Sequence, residues 1–232
     1  PFSLHETETP AQNAAMRLHQ VLDLIGELPT SQMQEVWDAA APMAGTDLRD
    51  GVWLGRYGGL AWPIKRIVRH VVRRDYFARL VFPGWGVNVR VKQDGTYAMI
   101  PWSAVPVGVR VHLPFRRTNQ GLDYGYHVTG IDVGPSSWLP AREVLRKIDF
   151  STLSEVVSLG HLRRVGVWRG KAEHPGQLVV GYLAPVGVEA FKHSPFAMVW
   201  RREMSTAEVR SAEHHIHRMR LWDTSAGSID MS

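Results

Sequence analysis

Gly51-Val52-Trp53-Leu54-Gly55 is the stretch that decides the fold, because helical periodicity ends before it and strand periodicity follows it. Glycine lets a backbone turn sharply or approach another strand closely, and a tryptophan side chain carries about 200 Å² of apolar surface that folding must cover. We therefore expect the first strand of a barrel here, entered by a tight turn and plugged by the indole of Trp53.

Beyond this stretch, apolar side chains recur at every second position, which is the period of a strand with one buried face. The alternation is clearest at residues 87–91, 107–113, 122–129, 165–167, 178–182 and 196–202, and Asp94-Gly95 is a typical hairpin turn. A long antiparallel sheet usually removes its exposed edges by closing on itself. The sequence therefore predicts a mainly β protein, an antiparallel up-and-down β-barrel of about eight to ten strands.

Helical segments are expected around this barrel. Spacing and capping residues predict an N-terminal helical brace over residues 10–45, a short inserted helix over 141–148 and a terminal helix over 204–222. Residues 63–74 have an apolar stripe and a basic face, which fits either packing on the protein itself or contact with an acidic or membrane surface. With the barrel at 50–203, we expect a single domain over 1–232.

Composition narrows the class of protein. The 232 residues include no cysteine, which excludes a disulfide scaffold, and no apolar run approaches the roughly 18 residues of a membrane span. The N-terminal residues lack the pattern of a signal peptide, so we expect a cytoplasmic, bacterial protein without stable membrane insertion. The net charge of +5 would permit an anionic partner, although an excess of arginine is also typical of high-GC bacterial sequences.

Nucleic acid is not an expected partner. Arg110, Arg116 and Arg117 lie near Phe115, but binding needs basic and aromatic side chains interleaved on one surface, and the aromatic residues are predicted to face inward. The sequence leaves open whether the protein forms a homodimer.

The Gly51-Val52-Trp53-Leu54-Gly55 opening resembles that of lipocalin-like (calycin) barrels. It is more similar still to the Gly-x-Trp-x-Gly opening of small bacterial barrel proteins of unassigned activity and of nitrobindin-type heme barrels. In these families the tryptophan plugs the closed end, and an arginine of the last strand often packs across it. The resemblance implies that Trp53 and Arg201, or Arg202, form a structural plug.

The expected function is binding of a hydrophobic small molecule, with or without an acidic group, in an aromatic-lined barrel cavity. Nine tryptophans and six tyrosines favour such a cavity, because pockets for apolar ligands are lined in this way. The candidate ligand-binding residues are Tyr97, Trp102, Tyr124, Tyr126 and Tyr182.

An enzyme on the same barrel is the alternative hypothesis. On the strand at 122–129, Asp123 and His127 share one face and Tyr124 and Tyr126 the other, so the register decides which pair enters the barrel. His127 with Asp123, or Tyr126, would suit the acid–base chemistry of an isomerase, cyclase or hydratase. His127 could equally face water. The motifs of serine hydrolases and of phosphate-binding loops are absent from the sequence.

No metal or cofactor is expected, with heme as the alternative that the nitrobindin resemblance implies. His214 and His217 have the spacing of a chelating pair on a helix, but no carboxylate motif accompanies them. His193, just before the last strand, is the candidate axial ligand for heme.

Overall fold

Eleven strands lie within the part of the chain that the computed structural model describes, namely residues 21–57, 76–91, 97–98, 110–124, 127–129, 141–157, 177–185 and 195–211. They are β1 (Ala41–Met43), β2 (Gly51–Tyr57), β3 (Tyr76–Phe82), β4 (Trp85–Val91), β5 (Tyr97–Ala98), β6 (Arg110–Thr118), β7 (Gly121–Tyr124), β8 (His127–Thr129), β9 (Ala141–Ile148), β10 (Leu178–Pro185) and β11 (Pro195–Arg202). Residues 21–27, Thr30–Ala39, Phe150–Val156 and 206–211 are helical, and Gly45–Asp47 form a 3₁₀ turn.

Eight of these strands close a barrel in which every pairing is antiparallel. The order is β2, β3, β4, β6, β7, β9, β10, β11 and back to β2, so that these eight strands follow one another around the barrel in chain order and β11 closes it against β2. β1, β5 and β8 extend it by pairing with β9, β4 and β6 respectively. The predicted mainly β, antiparallel up-and-down barrel with accompanying helices is confirmed.

Alternation along the strands separates an interior from two outer faces. On β2, Trp53 lies in the interior cluster, whereas Val52 and Leu54 belong to separate outer clusters. The interior is rich in large side chains, and its buried apolar members on the barrel strands are Trp53, Phe77, Val81, Phe115, Leu122, Tyr124, Leu145, Val179, Phe196, Met198 and Trp200.

The described N-terminal helices cover one outer face of the barrel. Val36 of helix Thr30–Ala39 packs in one cluster with Leu54, Val180 and Val199 of the barrel wall. Arg146 of β9 lies over the ring of Trp37, 4.5 Å from its centroid, and donates to the Trp37 carbonyl at 2.9 Å. The helices are therefore fixed to the barrel by both apolar and polar contacts.

One predicted element is wrong. Residues 141–148 were expected to form a helix, but Ala141–Ile148 is strand β9, paired with both β7 and β10. Its charged residues imitate the polar face of a helix, yet Glu143 and Leu145 face the interior while Arg142 and Arg146 face out. The inserted helix lies just downstream, at Phe150–Val156, where the side chain of Asp149 caps it through Thr152.

The prediction for residues 63–74, and that for residues 212–222 of the terminal helix, fall outside the described residues. Within the terminal segment, residues 206–211 are helical, and Met204 and Val209 pack against the outer cluster of β2, β3 and β4. That 1–232 is a single domain stays a prediction. In the described ranges, no helix has the length and apolar character needed to cross a bilayer.

One end of the barrel, called here the closed end, is filled by Trp53, Trp200 and Arg117. The Trp53 indole donates to the Arg49 carbonyl at 2.8 Å and the Trp200 indole to the Asp50 carbonyl at 3.0 Å. The two-residue turns between β3 and β4 and between β6 and β7 are also at this end.

Gly51 begins β2 at the closed end, with a φ of +129° that disfavours any side chain. A Cβ there would also lie 2.4 Å from the Arg202 carbonyl oxygen, so the first glycine of the motif is required by its backbone.

Candidate functional site

Three interior glycines make room for three phenylalanine rings in the middle of the barrel. In each case the glycine is directly paired with the phenylalanine on the next strand, and a Cβ on the glycine would lie only 2.1–2.3 Å from the ring's Cζ. The pairs are Gly55 with Phe77, Gly86 with Phe115, and Gly181 with Phe196. Each ring therefore lies flat over its glycine and extends across the interior.

These rings surround the guanidinium of Arg79, which is fully buried. Its Cζ lies 5.2 Å from the centroids of Phe77 and Phe115, 5.3 Å from that of Phe196 and 5.8 Å from that of Tyr124. These distances are within the range of cation–π attraction, about 6 Å. We call this arrangement the aromatic cage.

Inside the aromatic cage, Arg79 forms an ion pair with Glu143. Nη2 donates to Oε1 at 3.1 Å and Nη1 lies 2.9 Å from Oε2, while the two side chains are 0% and 6% exposed. Arg79 Nε donates to Asn88 Oδ1 at 2.9 Å, and Asn88 Nδ2 donates to the Tyr124 hydroxyl at 3.2 Å. Four polar side chains from β3, β4, β7 and β9 thus meet in an otherwise apolar interior.

One oxygen of this network has no hydrogen bond from the described residues. Arg79 Nη1 donates to the Met198 sulfur at 3.5 Å, and its contact with Glu143 Oε2 is an ion-pair distance without hydrogen-bond geometry. Glu143 Oε2 is buried and accepts from no group in the described ranges. The ion-pair contact with Nη1 offsets part of the cost of burying this oxygen, and a hydrogen-bond donor would offset more of it.

Two phenols beside the ion pair remain protonated. Burial, reinforced by the charge of Glu143, raises the pKa of Tyr57 to about 12, and burial raises the pKa of Tyr124 well above its usual range. Burial alone would lower the pKa of Arg79, but Glu143 outweighs it and the pKa lies above its ordinary value. The site therefore offers a permanent guanidinium and two neutral hydroxyl groups.

A buried ion pair is by itself weak evidence for a role in stability. The cost of removing two charges from water can exceed their mutual attraction, so replacing a buried ion pair with well-packed apolar residues is often neutral or stabilising. Groups with strongly shifted pKa values and a specific charged neighbour are instead common at functional sites.

The structure brings one predicted ligand-binding residue, Tyr124, into the aromatic cage. Tyr182 lies on the outer face of β10, where its ring meets that of Trp37 edge-on with centroids 4.7 Å apart. Tyr97 lies on β5, and its side chain is outside the described set. The ligand role of the tyrosines stays a prediction.

Of the predicted acid–base residues, Asp123 faces away from the aromatic cage. It alternates with Tyr124 and its Oδ1 accepts from Arg142 Nε at 2.8 Å, with both side chains 40% exposed. His127 lies on β8, opposite His112 of β6, and the side chain of His127 is outside the described set. The remaining candidates fall outside the described residues: Trp102, Tyr126, His193, His214 and His217.

Trp53 is fully buried at the closed end, where the resemblance places a plug. The described arginine–indole contact there is formed by Arg49, whose Cζ lies 3.6 Å from the Trp200 ring centroid. Arg202 pairs with Glu208 at 2.7 Å, and Arg201 is half-buried at the irregularity that follows Trp200. The role of Arg201 as a plug stays a prediction.

A concave region with a volume of about 740 Å³ lies outside the barrel beside the closed end. Phe82 and Trp85 stack there with ring centroids 4.1 Å apart, and Met204 forms another part of the wall. Its cation Arg49 already contacts the Trp200 ring and pairs with Glu203 at 3.3 Å. The aromatic cage, in which Glu143 Oε2 accepts no hydrogen bond from the described residues, is the stronger candidate site.

Sequence reasoning missed Arg79, Glu143 and Asn88. A signal for Arg79 was present, because it lies between Phe77 and Val81 on one strand face while Ala78 and Leu80 make the other face apolar too. An arginine on a strand that is apolar on both sides must be buried with a partner. Glu143 carried no such signal, because its segment resembled a helix.

Comparison with protein-family models, with curated proteins and with solved structures gave no match to this chain. Within the described residues, no group of three or more histidine, aspartate or glutamate side chains is arranged to hold a metal ion.

Proposed function

We propose that this protein is a lipocalin-like barrel that binds a small, largely apolar molecule in its interior. The rings of Phe77, Phe115 and Phe196 form the wall, and the Arg79–Glu143 pair anchors one polar group of the ligand. The observation that carries the proposal is the buried Glu143 Oε2, which accepts no hydrogen bond from the described residues in the middle of an aromatic cage. Binding sites for small molecules commonly combine apolar walls with a few such polar groups.

Entry is proposed from the end opposite the closed end. Trp53, Trp200 and Arg117 fill the closed end, whereas Tyr57, at the other end of β2, is only half-buried.

The test is native mass spectrometry of the protein purified without organic solvent, followed by titration with the neutral fluorophore N-phenyl-naphthylamine. We expect a bound small molecule, or saturable fluorescence enhancement with a stoichiometry near one. The double variant Arg79→Met with Glu143→Leu should lose most of this binding while retaining its circular dichroism spectrum. Asp123→Asn is the matched control, because it removes a charge next to Tyr124 but on the outer face.

Two outcomes would count against interior binding. One is the failure of the fluorophore and of any copurified molecule to bind the wild-type protein. The other is equal binding by wild type and the double variant, which would place the ligand elsewhere. Titration with heme is a separate arm, since a Soret band would support the heme alternative implied by the nitrobindin resemblance.

A further inference from the structure

We infer that the ligand presents a neutral hydrogen-bond donor, a hydroxyl or amide N–H, to Glu143 Oε2, and that acidic ligands are disfavoured. This inference rests on the proposed interior site and names the chemical class that fits it. It also departs from the sequence-based expectation, which allowed an acidic group on the ligand.

The first step is the hydrogen-bond inventory of the ion pair. Arg79 donates through Nη2 to Glu143 Oε1, through Nε to Asn88 Oδ1 and through Nη1 to the Met198 sulfur, and Nη1 also lies 2.9 Å from Glu143 Oε2 as an ion-pair contact. Glu143 Oε2 accepts from no group in the described part of the chain. A carboxylate can only accept, so the group that complements it must donate.

The second step is charge. Arg79 and Glu143 neutralise each other within the aromatic cage, and each is almost completely removed from water. A carboxylate ligand would add a second, unmatched negative charge beside Glu143, and an ammonium would add an unmatched positive charge beside Arg79. Either ion would lose its hydration without a free counter-charge in the pair. A neutral donor keeps the site electrically balanced.

The phenols do not reverse this preference. Tyr57 and Tyr124 remain protonated, since burial raises the pKa of both. They can donate to a neutral oxygen of the same ligand, but they add no positive charge that would hold an anion.

The experiment compares four probes that share one apolar ring system. They are naphthol, which has a neutral O–H donor, methoxynaphthalene, which has none, naphthoate, an anion, and naphthylmethylammonium, a cation. Each is titrated calorimetrically into the full-length wild-type protein at neutral pH. A hydrogen bond to a charged acceptor is strong enough that naphthol should bind at least about tenfold more tightly than each of the others.

Glu143→Gln should reduce the advantage of naphthol over methoxynaphthalene, because the charged acceptor is lost. Asp123→Asn should leave that advantage unchanged. Because Glu143→Gln deprives Arg79 of its counter-charge, its fold is checked by circular dichroism. The wild-type ranking of the four probes decides the inference even where the variant does not fold.

The outcomes separate the inference from the proposed function. Tighter or equal binding of naphthoate or methoxynaphthalene would overturn the inference while leaving interior binding intact. Failure of all four probes to bind would contradict the proposed function itself. A crystal structure of the naphthol complex should place its hydroxyl within hydrogen-bond distance of Oε2, and a water molecule in that position instead would also overturn the inference.

Discussion

Two buried arginines of the barrel, Arg79 in the middle and Arg117 at the closed end, are satisfied in different ways. Arg117 donates to the carbonyl oxygens of residues 45, 46, 48 and 82, and its Nη1 also pairs with Asp50 at 2.5 Å. Among the described residues, Arg79 donates to one carboxylate, one amide and one thioether, and the second oxygen of the carboxylate accepts no hydrogen bond from those residues.

We interpret Arg117 as an arginine that holds the fold and Arg79 as the arginine of the proposed binding site. The acceptors of Arg117 are fixed backbone atoms, so its guanidinium joins the 45–48 segment to the end of the barrel. The partner of Arg79 is a side chain, that of Glu143. Apolar residues could take the place of both, because buried ion pairs add little net stability. The following experiments test this comparison, beginning with the largest expected effect.

Arg79→Met is expected to have the largest effect on stability. It leaves the buried Glu143 carboxylate without a counter-charge, which should lower the free energy of unfolding by about 3–5 kcal/mol. Adding Glu143→Leu removes the second charge and should bring stability back to within about 1–2 kcal/mol of wild type. Urea unfolding followed by circular dichroism measures both. A double variant as unstable as Arg79→Met would show that the pair is structural.

Arg117→Met should lower the free energy of unfolding by about 2–4 kcal/mol, because several carbonyl oxygens lose their donor at once. In this case a second substitution, at Asp50, should not restore the free energy of unfolding. Asp50 is 50% exposed, so Arg117→Met with Asp50→Asn is expected to remain as unstable as Arg117→Met alone. Recovery in this double variant, measured by the same urea unfolding, would remove the contrast between the two arginines.

Gly55→Ala tests the wall of the aromatic cage. Its Cβ would lie 2.1 Å from Phe77 Cζ, and overpacking of this kind costs about 1–3 kcal/mol. Adding Phe77→Leu should restore part of the thermal midpoint, because the obstacle is a side chain. Gly51→Ala at the closed end is the comparison, since its nearest obstacle is the backbone oxygen of Arg202. If a substitution away from Phe77 restored the thermal midpoint of Gly55→Ala equally well, the clash with the Phe77 ring would not be the cause of the loss.

Tyr57→Phe should have the smallest effect at neutral pH and a clear one in alkali. The pKa of Tyr57 is about 12 in the folded protein against an ordinary value of 10.0. The folded state therefore holds its proton more tightly, and stability present below about pH 10 is lost as the pH rises through about 12. In urea unfolding at about pH 9 and about pH 11, the variant should lose less stability than wild type. Parallel losses would contradict burial of this phenol.

The sequence was sufficient for the barrel but not for the chemistry within it. Alternation at Val87 and Val89 and the Gly51–Gly55 motif predicted strands directly, because one apolar face per strand is a local property. The aromatic cage depends on register, since Gly55 opposes Phe77 only when β2 and β3 pair as they do. No local pattern specifies such a pairing.

Strand β9 shows why the sequence did not reveal Glu143 as a site residue. A barrel that buries an ion pair places a charged residue, Glu143, on its inner face, which breaks the alternation by which an inner face is recognised. The exposed charges of Arg142 and Lys147 then fit a helical pattern as well as a strand. Only the partner, Arg79 on β3, 64 residues away, accounts for Glu143.

The most direct test of the central claim is calorimetric titration of naphthol into the folded double variant Arg79→Met with Glu143→Leu, beside wild type. If the pair exists to anchor a ligand, the double variant should keep its cooperative unfolding and bind naphthol at least about tenfold more weakly. Unchanged naphthol affinity in a well-folded double variant would contradict the claim that the Arg79–Glu143 pair is a binding site.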